Sequence, residues 1–209
     1  IHGVVALAQA SVVAGVVSAP LGVVAGYLVS GHASVLGTCT WVVRNTTGVF
    51  VVAGVVLAVV AARHAHRPGT SWSKVVTNED RPHGVAELAA TVAVVAAALQ
   101  LVFDDTQGVP LAFLVVAVAA FVGFRFSPVV AALLTTAAGL VAIAASLADS
   151  GPFGTIADPV VRSLVVQAFV LVQATISLML SWAVRERHEM MLELTEARRQ
   201  ADERAQLLD

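Results

Sequence analysis

Arg44 and Asn45 stand with Thr46 and Thr47 inside a long apolar run. An ionisable side chain at membrane depth is costly, so it needs a partner or a function. Arg44 and Asn45 are therefore the candidate ligand-facing residues, against the plain alternative of an arginine that snorkels to the outer headgroups. Arg125 falls at a turn between two apolar runs, where contact with lipid phosphate is favoured over substrate binding. Glu87, Gln100, Gln167 and Gln173 lie within or beside apolar runs, and such groups commonly hydrogen-bond between helices. Gln167 and Gln173 are six residues apart and do not share a helical face.

Other chemistry finds little purchase. The adjacent Asp104 and Asp105 could share acid–base work, but no desolvating pocket is legible around them. His2, His32, His64, His66, His83 and His188 supply no mid-membrane pair for haem. The His64-x-His66 spacing in a basic loop reads as solvated rather than metal-binding. Cys39 is the single cysteine, which excludes an internal disulfide and multi-cysteine metal sites. There is no Ser-His-Asp arrangement, no HExxH and no phosphate-cradling glycine loop. The expectation is no catalytic residue, no metal and no cofactor in these residues.

The elements that hold these side chains follow from composition. Of 209 residues, 58% are hydrophobic and 12% charged, against about 25% charged in a soluble domain. Mean hydropathy is +0.86. Apolar runs near the roughly 20 residues that cross a bilayer as helix, without period-2 alternation, predict an all-α polytopic transmembrane bundle. Six spans are expected, at about 3–29, 38–62, 84–103, 110–124, 128–148 and 161–184. Pro20 and Gly22 interrupt the first, and Arg125 and Pro128 split a stretch too long for one crossing. Residues 1–184 form the membrane domain in this reading, and 185–209 a charged helix beyond it.

Alternation places Arg63, Arg67, Lys74, Arg81, Arg125, Arg185 and Arg187 on one side and only Arg44 and Arg162 on the other. The positive-inside rule then makes the C-terminus cytoplasmic, in a multi-pass protein of the cytoplasmic membrane. The basic stretch from Arg63 to His83 is too short and irregular for a domain, and Trp72 suits the headgroup level. Basic residues beside apolar runs suit membrane lipids as partners, and their scatter disfavours nucleic acid. The chain begins at Ile1 in an apolar stretch without a basic flank and stops at Asp209 within an amphipathic pattern. The expectation is a portion of a longer protein.

After Val184 a heptad frame puts Val184, Met191, Arg198 and Ala205 at one core position and Arg187, Leu194, Ala201 and Leu208 at the other. Six of these eight are apolar, which suits a coiled coil and hence a homodimer. A solvated charged helix is the plainer alternative. Met191, Leu194, Ala201 and Leu208 are the expected signal-transmission residues. Small alanines in such a seam leave alternative registers close in energy.

Four short features in order then carry a family resemblance. Trp41, Arg44-Asn45, Gly48, the aliphatic run Val49 to Ala53 and Gly54 form the first. Arg125-Phe126-Ser127, Gly151-Pro152-Phe153 and Glu186-Arg187 complete the set. Together, across about residues 15 to 190, they resemble the bacterial membrane-associated sensor domain of the first MASE type. Asn45 stands where that family has Asp, and Gly54 where it has Pro. Any proton or ligand chemistry of that acid would be altered here.

The resemblance implies an integral membrane input domain of about eight crossings, with about two preceding Ile1. It also implies a cytoplasmic output: a cyclic-di-GMP cyclase or phosphodiesterase of GGDEF and EAL type, or a histidine kinase. The run from Ala201 to Asp209 is similar to a helix leading into a PAS domain. Enzymatic activity would then belong to the full-length protein, and the stimulus would be a small molecule or a membrane change. A transporter or channel subunit is the rival of another class, since Gly- and Pro-interrupted spans can line a path. Against it, the ionisable residues sit at span ends. A module that only anchors and dimerises an output is the third reading.

Overall fold

A computed structural model describes residues 2–65, 84–103 and 111–206. Apolar segments with no water to satisfy their backbone must close hydrogen bonds internally, and helices do so. Helix α1 (His2–Val17) breaks at Ser18 and continues as α2 (Ala19–Ser30). The two are bent by 41°. Pro20 causes the break, because it has no N–H and its ring clashes with the carbonyl one turn back. Helix α2 stops at Gly31, whose φ of 74° lets its N–H reach the Tyr27 carbonyl.

Helix α3 (Val35–Ala65) returns through the bundle, followed by α4 (Gly84–Phe103). Next come α5 (Ala112–Arg125) and α6 (Pro128–Leu147), joined by the tight turn at Phe126 and Ser127. Proline suits the first position of α6, where its missing N–H goes unused. After the single turn α7 (Gly151–Gly154) comes α8 (Pro159–Gln206), 48 residues and about 72 Å long. Asp158 caps α8 by accepting from the Val160 and Val161 N–H groups at 2.8 and 3.3 Å.

Helices α3, α4, α6 and α8 each contain a stretch long and apolar enough to cross a membrane, and α1 with α2 makes a bent fifth. Helix α5 has 14 residues, about 21 Å, short of the roughly 30 Å hydrocarbon core. Its expected start at 110 lies outside the described residues, as do Asp104, Asp105, Trp72 and Leu208. The final span, expected at 161–184, has no boundary there: the helix runs on unbroken to Gln206.

Two cores meet on α8. Val95, Val122, Phe126, Ala138, Phe153 and Val170 fill the space among α4 to α8. Val4, Phe50, Ala58, Ala132, Ala174 and Leu178 fill that among α1, α3, α6 and α8. Small residues set the closest approaches, as expected where lipid is as apolar as leucine. A Cβ on Gly123 would overlap the backbone of Ser177, and one on Gly15 would overlap Thr46. Outward-facing Val17, Leu28, Phe113, Phe124, Leu133 and Leu140 are exposed, an apolar coat suited to lipid.

Candidate sensor cleft and transmission helix

The start of α3, the end of α6 and the start of α8 converge at the end of the bundle opposite to the charged half of α8. A cleft of about 170 Å³ opens there, lined by Arg44, Ser146, Arg162, Ser163 and Gln167 among others. Arg44 thus lines a cleft with residues from two other helices. Asn45 does not line it; its amide donates to the Trp41 carbonyl at 3.0 Å on its own helix. Thr46 and Thr47 are buried packing residues. The Thr47 hydroxyl lies 2.8 Å from the Val43 carbonyl and 3.3 Å from that of Gln167, tying α3 to α8.

Arg162 is fixed in the cleft wall. Its guanidinium donates to the Ile156 carbonyl at 2.9 Å and the Ser146 carbonyl at 3.2 Å, and pairs with Asp149. Asp149 adopts a left-handed φ of 56°, which aspartate tolerates better than most residues. Arg44 differs: it is exposed and has no hydrogen-bond or ion-pair partner among the described residues. The cleft therefore holds one neutralised guanidinium and one available one.

Below the cleft, α8 turns a polar stripe inward. Gln173, Ser177 and Ser181, at i, i+4 and i+8, share one face and are fully buried. The Gln173 amide donates to the Thr135 carbonyl at 3.3 Å on α6, and the Ser181 hydroxyl to Leu178 at 2.9 Å. The Gln173 Oε1 and the Ser177 hydroxyl have no hydrogen-bond partner among the described residues. The interhelical role expected of Gln173 is thus present, whereas Gln167 opens to the cleft. Ser177 and Ser181 were recoverable from their four-residue spacing after Gln173, a signal hidden by the frequency of serine in small-residue helices.

At the other end, Arg125 pairs with Glu87 rather than facing lipid alone. Both side chains are mostly withdrawn from solvent, so the pair ties α4 to the α5–α6 turn. Nothing in a separation of 38 residues announces this partner. Nearby, Arg185 lies over the Trp182 ring at 5.6 Å and bonds Glu189 at 2.9 Å where α8 leaves the bundle. An open groove of about 560 Å³ between α1, α3 and α8 has Trp182, Arg185 and Glu189 along its edge. Beyond it, Met191, Leu194 and Ala201 are exposed on the single chain.

Among the described residues no three His, Cys, Asp or Glu side chains gather as a metal site. No curated protein and no solved structure matches the chain. The MASE1 family model matches residues 1–188, from α1 to just past the exit of α8 from the bundle. The four ordered sequence features and this match agree: the chain belongs to the MASE1 family of membrane sensor domains found in signalling proteins.

Proposed function

We propose that this chain is the input region of a bacterial transmembrane signalling protein, and that α8 carries its state to a cytoplasmic output enzyme as a dimeric coiled coil. The output proposed is a cyclic-di-GMP cyclase or phosphodiesterase of GGDEF and EAL type. The observation that carries this reading is the continuity of α8. One helix begins beside the cleft at Arg162, crosses both cores and extends into the heptad pattern of Met191, Leu194 and Ala201. A displacement at one end of an unbroken helix reaches the other.

The mechanism is a shift between two arrangements of α8, biased by whatever binds one of them better. The stripe of Gln173, Ser177 and Ser181 suits such a shift, since its seat on Gly123 is smooth and two of its polar atoms lack partners among the described residues. Another register can offer them partners. The positions of Arg63, Arg125, Arg185 and Arg187 at the end where α8 leaves the bundle support a cytoplasmic location for that end.

Cysteines placed at Leu194 and Ala201 of the full-length protein, oxidised in native membranes, test the dimer. Disulfide-linked dimers at these sites and their absence at the outward Glu193 are expected. Equal cross-linking at all three, or none, would refute a coiled coil in this frame.

A further inference from the structure

The cleft at Arg44 has the composition of a binding site rather than of a packing defect. Arg44, Ser163 and Gln167 contribute polar side chains to it, and none has a partner among the described residues. Ile143, Leu147, Pro159 and Val166 supply the apolar part of the lining. Arg162 is neutralised by Asp149, so the site carries one uncompensated positive charge.

We propose that this cleft binds a short aliphatic monocarboxylate, because its lining sets one free guanidinium and two neutral polar side chains beside a small apolar patch. Resting on the reading of the chain as a sensory input, we also infer that this solute is what the protein reports. A guanidinium presents a planar fork that a carboxylate matches with two parallel hydrogen bonds. Ser163 and the Gln167 amide add neutral donors, and the methylenes lie against Ile143 and Val166. Inorganic phosphate or sulfate would leave the apolar patch unfilled and would bring about two negative charges to one free cation. The site joins α3, α6 and α8, so a carboxylate held between Arg44 and α8 stabilises one position of the transmission helix over another.

The test is equilibrium dialysis of radiolabelled butyrate against the full-length protein in vesicles of zwitterionic lipid, with phosphate and sulfate as competitors. Saturable binding is expected, weakened about tenfold or more in Arg44→Gln and less in Arg44→Lys, which keeps the charge without the fork. Arg44 has no partner to lose, so Arg44→Gln retains the helical circular dichroism of the parent, and Gln167→Leu gives a second, smaller loss. Absence of saturable butyrate binding, equal binding by Arg44→Gln, or displacement by phosphate at butyrate's own concentration would each overturn the site. Output activity of the same vesicles separates the two claims. Butyrate binding that is lost in Arg44→Gln but leaves output unchanged in the parent would overturn the sensing role and leave the site standing.

Discussion

The two halves of α8 obey different rules. From Pro159 to Trp182 the helix is threaded through the bundle, and its inward stripe of Gln173, Ser177 and Ser181 is sealed from solvent. From Arg185 onward it is rich in charge, and Met190, Met191, Leu192 and Leu194 stand exposed. The first half is held by close approach of small residues. The second half is held only by its own backbone and by pairs such as Arg185–Glu189 and Arg199–Glu203. Exposed pairs of that kind contribute about 0.3–0.5 kcal/mol each, little beside the packing that seats the inner half, and the proposed dimer would cover the exposed outer half.

That contrast can be broken most severely where α8 is seated. Gly123→Leu places a side chain into the backbone of Ser177 and should cost about 3 kcal/mol. Thermal unfolding in detergent would register it, and a variant as stable as the parent would show that α5 and α8 do not touch. Glu87→Leu removes the partner of the half-buried Arg125 and should cost about 2 kcal/mol, between the values for buried and surface pairs. Arg125→Leu made together with it should recover part of that loss. Ser177→Ala should change stability by less than about 1 kcal/mol, because the hydroxyl it deletes has no partner. A loss well beyond that would reveal a hydrogen bond that the smooth seam of α8 lacks.

How much of this could be read from sequence depended on how local each cause is. The helical membrane architecture was legible because run length is set by bilayer thickness, and the bend at Ser18 because Pro20 acts on its own turn. The turn between α5 and α6 was legible for the same reason, from Arg125 and Pro128. Arg44 was singled out by the cost of a charge in an apolar run, and the structure places it in a cleft. Asn45, chosen as its neighbour, turns back to Trp41, since adjacent residues on a helix point in different directions. The cleft itself was illegible, because Arg44 on α3 meets lining residues of α6 and α8 that lie more than 90 residues further along the chain. The Arg125–Glu87 pair was hidden by its separation of 38 residues, and an arginine at a turn reads as a lipid contact until its partner is known.

The claim that α8 transmits a state by its helical phase is tested most directly by insertions after Glu193 in the full-length protein, with output activity measured in membranes. Seven inserted residues, about two turns and one heptad, preserve the phase and the seam. Three or four rotate the output against the bundle. Activity and its response to stimulus retained at seven and changed at three and four is the expected result. Activity indifferent to insertion length, with the response intact throughout, would contradict transmission through α8.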